Sequence, residues 1–420
     1  MKRIIIPVFS AFAGYDSQFM ALRRFAKWFN RTYKGQLSID FDLVGWCEID
    51  PYAIMSHNIL FPEYKSRHYN DIRKVMWGEV PDFTILIYSS CCQDITRNGK
   101  QAGLVKGSGT RSELIWNVLE ALKIRHPQVA ILENVPALLE KTFCYEFCKW
   151  QESVDEIGYR SCWGTLLASD FGIPQNRKRA FMISVREDIE QNIYFPQPLS
   201  TANLKRVETM LDDHVGEAYY YSDEDAVRYI IALYGKVPGD INCISIKNHG
   251  RCLKRIVTPT CKSGVHRTCP TLLADSCYAK KNYMNFISTG YFPGPAVLEV
   301  WQTSDNIDIP YSDYIASAEI KEEGEINIKN ASKEIVTDVL NKLMPNSYFR
   351  LRRLTPSECF KLMGVDIKSV TKIVASSIPE SEQYKLAGNA IILDTIFNLY
   401  KNLFREEMIL EISDYKQHKS

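Results

Sequence analysis

The chain has 420 residues, 45% of them hydrophobic and 24% charged, and its formal net charge is +1. This length and composition are typical of a globular protein of two or three domains and argue against a disordered chain. The small net charge leaves a nucleic-acid partner open, so a local basic region must decide that point. No apolar run reaches the roughly 18 residues of a membrane span, and the start of the chain lacks a signal-peptide cleavage site. The 12 cysteines form no CxxC pair, which favours a reduced intracellular protein.

The first 190 residues alternate between apolar runs of the buried type and helical patterns. The predicted strands are 4–9, 41–46, 83–88, 129–132 and 180–185. Helical spacing follows the first strand, with apolar residues at Phe19, Leu22, Phe25 or Ala26, and Phe29, and it recurs over 114–125. This alternation predicts a doubly wound α/β sheet, in which ligands bind at the carboxyl ends of the strands.

The amino-acid composition and hydrophobic pattern change in the later part of the chain. Residues 200–345 are rich in polar residues, glycine and proline, with short β-like pieces such as 297–301. The stretch 316–334 mixes Lys and Glu and predicts a solvated surface element. A helical pattern returns at 394–404, which places another helix near the C-terminus.

Three groups of chemically useful residues lie next to predicted strands. The pair Cys91 and Cys92 follows 83–88, where a sheet would hold a nucleophilic thiol beside the ligand crevice; two buried small side chains are the alternative. Glu133 follows the next strand, where a carboxylate is costly to bury without a partner, although a helix N-cap cluster would look the same. The third group is 175–179, Gln-Asn-Arg-Lys-Arg, whose alternate residues would share one face. A surface charge run is the alternative for this last group.

Together and in this order, these groups resemble the cytosine-C5 DNA methyltransferase family of bacterial and phage modification enzymes. The motifs that carry the resemblance are Phe12-Ala13-Gly14, Glu48, Asp71-Ile72, Cys92-Gln93, Glu133-Asn134-Val135, Gln175-x-Arg177-x-Arg179, Arg353-Leu354-Thr355-Pro356-x-Glu358 and Gly388-Asn389-Ala390. They fall within residues 1–190 and 348–395. The resemblance implies a doubly wound, Rossmann-like, S-adenosylmethionine-dependent methyltransferase fold with a second, smaller target-recognition domain.

The resemblance also implies a role for each catalytic group. The Cys92 thiolate would add to C6 of cytosine, and Glu133 would hydrogen-bond at N3 and the exocyclic amine. Arg179, together with Arg177, would hold O2, where fixed donors stabilise developing negative charge. A base would then remove the C5 proton and Cys92 would leave. No metal is implied.

S-adenosylmethionine is the implied cofactor, and its site would lie at the same strand ends. Glu48 would accept hydrogen bonds from the ribose hydroxyls, Asp71 would take the adenine amino group, and Asn389 would reach back from the C-terminal segment. The residues implied to bind the cofactor are Phe12, Ala13, Gly14, Glu48, Asp71, Ile72, Asn389 and Ala390.

The chain departs from the family pattern at three places, the last of which is Ile95 and Thr96 in place of the usual aromatic residue and Ser. The family usually has further glycines after Phe-x-Gly, whereas this chain has Tyr15, Asp16 and Ser17. It also usually has proline before the catalytic cysteine, whereas this chain has Cys91. The first departure bears on cofactor affinity and the second on loop rigidity, and neither removes a group that does chemistry.

The domain organisation follows from the interval between the Arg179 and Arg353 motifs, where the family carries its target-recognition domain. We predict a catalytic and cofactor-binding α/β domain at 1–195, a recognition domain at 200–345, and a C-terminal segment at 346–420 that completes the catalytic domain. Residues 245–282 hold eight Lys or Arg against one acid, as expected of a surface that follows phosphates; a solvated basic loop is the alternative. The cysteines between 243 and 277 lack the close pairs of a zinc site, so we predict no metal site.

The predicted function is methyl transfer to C5 of a cytosine in a specific double-stranded DNA sequence, through a Cys92–C6 adduct and base flipping. A tRNA cytosine-C5 methyltransferase with the same motifs is one alternative, and a catalytically inactive DNA-binding regulator is another. The long interval after Arg179 favours DNA. We also expect a monomer in the cytoplasm of a bacterial or phage-infected cell, associated with the nucleoid and not with a membrane, with any cognate restriction endonuclease acting separately.

Overall fold

The computed structural model describes residues 2–34, 37–89, 95, 103–200, 205, 207–221 and 347–414, together with short strands between 253 and 327. The chain forms two compact units. The first consists of Met1–Ile173, Arg177–Leu204 and Met363–Ser420, and the second of Pro174–Asn176 and Lys205–Leu362. No helix in the described part of the chain is long and apolar enough to cross a bilayer.

A seven-stranded sheet lies at the centre of the first unit. The first eight strands of the chain, of which all except β7 belong to this sheet, are β1 (Lys2–Ala11), β2 (Leu37–Cys47), β3 (His68–Tyr69), β4 (Ile85–Ser89), β5 (Val129–Asn134), β6 (Tyr159–Leu167), β7 (Gln175–Asn176) and β8 (Lys178–Arg186). Their spatial order is β3-β2-β1-β4-β5-β8-β6. Neighbouring strands run parallel, except that β8 is antiparallel to both β5 and β6. The predicted doubly wound α/β class is therefore confirmed.

Helices accompany this sheet. The α-helices of the described residues, of which all except α5 belong to the first unit, are α1 (Ser17–Thr32), α2 (Pro51–Leu60), α3 (Ile115–Arg125), α4 (Lys141–Asp155), α5 (Pro356–Leu362), α6 (Ile367–Val374), α7 (Glu380–Asn389), α8 (Leu393–Leu403) and α9 (Glu406–Asp414). The predicted helices at 114–125 and 394–404 match α3 and α8.

Apolar spacing explains why these segments become helices. The face of α1 that was predicted from its aromatic residues is buried from Phe19 to Phe29. Helix α4 buries Phe143, Phe147, Trp150 and Val154, whose spacing follows one face of a helix. Each fully buried side chain of this size contributes about 1.5–3 kcal/mol.

The second unit contains the remaining strands of the described residues, β9 (Leu253–Val257), β10 (Val265–His266), β11 (Cys269–Pro270), β12 (Ala296–Gln302), β13 (Glu319–Ile320), β14 (Ile326–Asn327) and β15 (Ser347–Arg353). Four of them form an antiparallel sheet of order β10-β9-β12-β15. The β-like piece predicted at 297–301 lies inside β12. Most of the predicted surface element at 316–334 lies outside the described residues, and its role stays a prediction.

The motif that begins at Arg353 forms the start of α5. Thr355 and Glu358 cap this helix reciprocally: the Thr355 amide donates to Glu358 Oε2 at 2.8 Å, and the Glu358 amide donates to Thr355 Oγ1 at 3.1 Å. Pro356 takes the first helical position, where a missing N–H costs nothing. The fully buried carboxylate of Glu358 also receives both Nη groups of Arg352, at 2.7 and 2.8 Å. These bonds compensate the burial of both charges.

Candidate active site

Four of the predicted site residues that the structure describes lie at one edge of the sheet of the first unit. Strands β1, β2, β3, β4 and β5 are parallel, so their carboxyl ends share that edge. Phe12 follows β1, Glu48 follows β2, Asp71 lies shortly after β3, and Glu133 is the last residue but one of β5. In the register of β4 and β5, Ser89 pairs with Glu133.

The reversed strand explains why the arginine motif precedes its strand. Because β8 runs antiparallel to β5, its first residues, rather than its last, lie at the carboxyl edge of the parallel strands. Ala180 pairs with Asn134, and Phe181 pairs with Glu133. Arg179 is thereby brought to the end of β5.

Glu133 and Arg179 form an ion pair at this edge. Arg179 Nε lies 3.1 Å from Glu133 Oε1, and the two side chains are only 14% and 10% exposed. Burial raises the pKa of Glu133, and the positive charges of Arg179 and then Arg177 oppose that rise. A carboxyl group with a raised pKa and a positive neighbour is well suited to exchange hydrogen bonds with a polar ring.

Arg177 donates hydrogen bonds to a different part of the chain from Arg179. Its Nη2 group donates to the carbonyl oxygens of Gly388 at 2.9 Å and Ala390 at 2.8 Å, and its side chain is buried. Arg177 therefore holds the end of α7, where Asn389 is exposed. The role predicted for Arg177 at O2 of the base stays a prediction.

The loop after β1 has an unusual backbone. Phe12 and Gly14 both have positive φ, 56° and 59°, which is the left-handed region. Non-glycine residues adopt that region at a cost, and such residues cluster at ligand sites. The Ala13 amide donates to Cys47 O at 2.9 Å. A Cβ placed on Gly14 would meet no atom within 4 Å, so the loop has open space beside it.

Glu48 joins this loop to the end of β2. Its Oε2 accepts from the Gly14 amide at 2.8 Å, and its Oε1 accepts from the amides of Ile49 at 2.8 Å and Asp50 at 2.9 Å. An ionised carboxylate has about four acceptor positions, so Glu48 keeps capacity for a further donor such as a ribose hydroxyl. The open space at Gly14 and this half-buried carboxylate fit a nucleoside-bearing cofactor.

The other predicted cofactor residues lie at the ends of short elements. Asp71 caps a short helical turn and pairs with Arg73, with Oδ2 2.7 Å from Nη2, and the hydrogen bond from Arg73 lowers the pKa of Asp71. Ile72 is buried, and Ala390 is half-buried just after α7. The assignment of these residues to adenine and cofactor binding stays a prediction.

Several predictions fall on parts of the chain that the structure does not describe. Cys91, Cys92 and Gln93 lie outside the described residues, as does most of the basic segment 245–282. Among the described thiols, Cys47 lies directly before Glu48 but is not a candidate nucleophile. Burial, followed by the charges of Glu48 and Asp71, raises the pKa of Cys47 to about 12.

Two residues at the site were not singled out for a role in the sequence. Asp16 caps α1, since its side chain accepts from the Phe19 amide, and Ser17 Oγ accepts from the Ile391 amide at 3.3 Å. An Asp or Ser directly before a helical pattern is a known N-cap signal, so Asp16 could have been identified. The contact of Ser17 with Ile391 has no local signal, because the two residues are far apart in the chain.

The seven-stranded sheet with these residues at its carboxyl edge has the Rossmann-like architecture of a methyltransferase. The family model for C-5 cytosine-specific DNA methylases matches residues 10–405. The chain therefore belongs to that family, and the resemblance inferred from its motifs is confirmed.

Relatives of full length support this placement. A type II methyltransferase of Lactococcus lactis subsp. cremoris is 24% identical over 454 residues, covering 96% of this chain and 100% of the relative. An orphan methyltransferase of Bacillus phage SPR is 24% identical over 451 residues, covering 95% of this chain and 97% of the relative. The solved structure of the Dnmt2 methyltransferase of S. pombe has a similar fold, with a TM-score of 0.57 and 17% identity over 98% of this chain and 99% of that one.

Proposed function

We propose that this protein transfers a methyl group from S-adenosylmethionine to C5 of a cytosine within a specific sequence of double-stranded DNA. The observation that carries the proposal is the buried pair of Glu133 and Arg179, with a 3.1 Å separation, at the strand edge where β4 ends. One residue offers a carboxyl group and the other a fixed set of donors, the two functions that a cytosine ring needs at N3 and O2.

Cys92 is the proposed nucleophile, and the short backbone segment between Ser89 and Cys92 limits how far Cys92 can be from Glu133. Cys92 lies three residues after Ser89, whose Cα is paired with that of Glu133. Three residues span at most about 11 Å when fully extended. The Cys92 thiol can therefore reach a cytosine ring that is bound by Glu133.

The proposed reaction begins with the Cys92 thiolate forming a bond to C6 of the cytosine. The ring electrons then make C5 nucleophilic, while Glu133 and Arg179 stabilise the charge that develops at N3 and O2. S-adenosylmethionine, when bound, supplies an electrophilic methyl group. When C5 gains the methyl group, the sulfur–methyl bond breaks with its electron pair staying on sulfur, and the cofactor would leave as S-adenosylhomocysteine. A base then removes the C5 proton, and the electron pair of that C–H bond re-forms the C5–C6 double bond and expels the Cys92 thiolate.

The cofactor would be held by the loop 12–14 and by Glu48, which the Gly14 amide already joins at 2.8 Å. Phe12 and Ala13 would line the methionine end, and Asp71, Ile72, Asn389 and Ala390 would complete the adenine side. S-adenosylmethionine use is general among methyltransferases of this family, which supports the same choice here.

Recognition of the DNA is assigned to residues 200–345, and the target base would be flipped out of the duplex to reach Cys92. Replacing 200–345 by the segment of a relative should then change the methylated sequence while the chemistry persists. A bacterial or phage-infected cell is the proposed setting, because relatives matched over nearly their full length come from Lactococcus lactis and a Bacillus phage. Action as a monomer, with any restriction endonuclease as a separate protein, belongs to the same proposal.

A mechanism-based trap tests the proposal. Duplex DNA with 5-fluorocytosine at target sites should become covalently bound to the protein in the presence of S-adenosylmethionine, because fluorine cannot leave as a proton does. The Cys92→Ala variant should lose this adduct, and the matched Cys91→Ala variant should keep it. Trapping that survives Cys92→Ala would overturn the assignment. Methyl transfer from labelled cofactor to tRNA but not to DNA would instead assign the substrate to RNA.

A further inference from the structure

Asp16 stands where the family that this chain resembles usually has glycine, and its backbone keeps the conformation of a glycine. Its φ is 64° and its ψ is 51°, in the left-handed region. Glycine adopts this region freely, whereas Asp does so when its side chain is held by local hydrogen bonds. The Asp16 side chain is completely buried, so its carboxylate needs partners inside the protein.

The partners of Asp16 come from the elements that flank the loop 12–14. Oδ1 accepts from the Phe19 amide in α1 at 3.1 Å and from Ser10 Oγ in β1 at 3.0 Å. Oδ2 lies 3.5 Å from Nε2 of His57 in α2, and both side chains are fully buried. Through Oδ1 the carboxylate thus joins the strand before the loop to the helix after it, while Oδ2 lies close to His57 of α2 without a hydrogen bond.

The same contacts continue to Glu48. The His57 ring stacks on Trp46 with a centroid distance of 3.6 Å, and Trp46 also stacks on His68 at 4.1 Å. Nε2 of His68 lies 2.9 Å from the backbone oxygen of Glu48. A continuous set of packed rings therefore runs from Asp16 to the residue proposed to bind the ribose.

We propose that Asp16 is a positioning residue for cofactor binding: its carboxylate replaces the missing glycine by fixing the loop 12–14 between β1 and α1. This inference rests on the proposed function, since it concerns the same cofactor site. Asp16 touches no reacting atom and acts through the loop and Glu48.

Three substitutions separate the backbone from the carboxylate. Asp16→Gly keeps the left-handed conformation and removes the acceptor. Asp16→Asn keeps an acceptor oxygen and tolerates the conformation. Asp16→Ala removes both. Asp366→Ala is the matched control, because Asp366 caps α6 through the Ser369 amide at 3.0 Å and the Ser369 hydroxyl at 2.8 Å.

The measurement is the dissociation constant for S-adenosylhomocysteine by titration calorimetry, together with the melting temperature of each variant and the kinetics of DNA methylation. We expect Asp16→Gly to bind about tenfold more weakly, which corresponds to about 1.4 kcal/mol, and Asp16→Asn to stay within about twofold of the native protein. The KM for the cofactor should rise more than kcat falls. Asp366→Ala should lower the melting temperature without changing the dissociation constant.

Native affinity in Asp16→Gly would overturn the proposal. So would a loss of affinity in Asp366→Ala that matches its loss of stability, because Asp16 would then act only through general stability. If Asp16→Ala does not fold, Asp16→Gly and Asp16→Asn still decide the question. A native protein that fails to bind S-adenosylhomocysteine would refute the proposed function itself, which is a different outcome.

Discussion

Glu133 and Arg179 neutralise each other across the antiparallel pairing of β5 and β8, with Oε1 and Nε 3.1 Å apart. Both side chains are largely buried, with only 10% of Glu133 and 14% of Arg179 exposed. Removing one partner therefore leaves the other as a charge in a largely buried environment. This dependence makes the pair accessible to experiment through its response to pH.

Arg179→Gln should extend to higher pH the range over which the stability of the protein falls with rising pH. Burial raises the folded-state pKa of Glu133. The positive charges of Arg179 and Arg177 oppose this rise, and Arg179 has the larger effect. A raised folded pKa stabilises the protein at low pH, and this contribution is lost as the pH rises through the folded pKa. Without Arg179 the pKa rises further, so the loss extends to higher pH. We expect a cost of about 1–3 kcal/mol near neutral pH, measured by urea unfolding.

The control for this prediction is Glu133→Gln, which removes the titrating group. The double variant Glu133→Gln/Arg179→Gln should show no extra dependence on pH compared with Glu133→Gln alone. An equal pH dependence in the native protein and in Arg179→Gln would show that Arg179 does not influence Glu133.

Arg177→Met should weaken cofactor binding and stability together. The substitution leaves the carbonyl oxygens of Gly388 and Ala390 without their guanidinium donor, and each buried unpaired group costs about 1–3 kcal/mol. Arg160→Met is the control, because Arg160 also donates to backbone carbonyls, those of Ile189 and Gln191. It should lower stability without lowering affinity for S-adenosylhomocysteine. Unchanged cofactor affinity in Arg177→Met would contradict the link between α7 and the cofactor.

Glu48→Ala should weaken S-adenosylmethionine binding by about 1–3 kcal/mol, the range for hydrogen bonds to a charged group. The variant also leaves the Gly14 amide without its acceptor. The substitution therefore removes a hydrogen bond that supports the loop 12–14 as well as the group that binds the cofactor. Glu48→Gln keeps one acceptor oxygen, so its affinity for S-adenosylmethionine should lie between those of the native protein and Glu48→Ala. Titration calorimetry measures the affinity, and Glu63→Ala, which breaks only the exposed pair with Arg23, is the control. DNA binding without cofactor should hardly change.

Lys254 and Arg255 test whether the second unit binds DNA. Both belong to β9 in the four-stranded sheet and to the basic segment 245–282. Replacing both by Ala should weaken binding to every duplex and reduce the salt dependence of the affinity, by close to one unit of slope for each phosphate that is no longer neutralised. Lys368→Ala/Lys372→Ala, which removes two positive charges from α6 in the first unit, is the matched control. An equal salt slope in the native protein and the Lys254/Arg255 variant would place the phosphate-binding residues elsewhere.

Local patterns in the sequence predicted five of the seven strands of the sheet in the first unit and missed β3 and β6. Strands buried on both faces are continuous apolar runs, which a local pattern shows. Strand β1, buried without interruption from Ile6 to Ala11, is an example. Helix α4 was missed although Phe143, Phe147, Trp150 and Val154 carry a helical pattern. That omission was one of interpretation, since the physical signal is present.

The site was harder to predict in detail. Alternation along an extended segment placed Arg177 and Arg179 on one face, but β8 begins only at Lys178, so the rule does not apply across that boundary. Accordingly, Arg177 donates to the carbonyl oxygens of Gly388 and Ala390, whereas Arg179 forms an ion pair with Glu133. Asp16 was interpreted as a departure that bears on cofactor affinity, whereas the His57 ring, 3.5 Å from its carboxylate, comes from another helix. Contacts between distant segments are set by tertiary packing, which a local pattern does not contain.

The bond from Arg177 to the carbonyls of Gly388 and Ala390 has a consequence for how the protein is made. While the ribosome is still adding residues before 388, all the strands of the central sheet have already been synthesised, but the buried guanidinium of Arg177 has no carbonyls from α7 to receive it. The Ser17 hydroxyl likewise lacks its hydrogen bond from the Ile391 amide until that residue has been synthesised. A nascent chain can therefore build its sheet early, but we expect it to acquire a finished cofactor loop only after translation has passed residue 391.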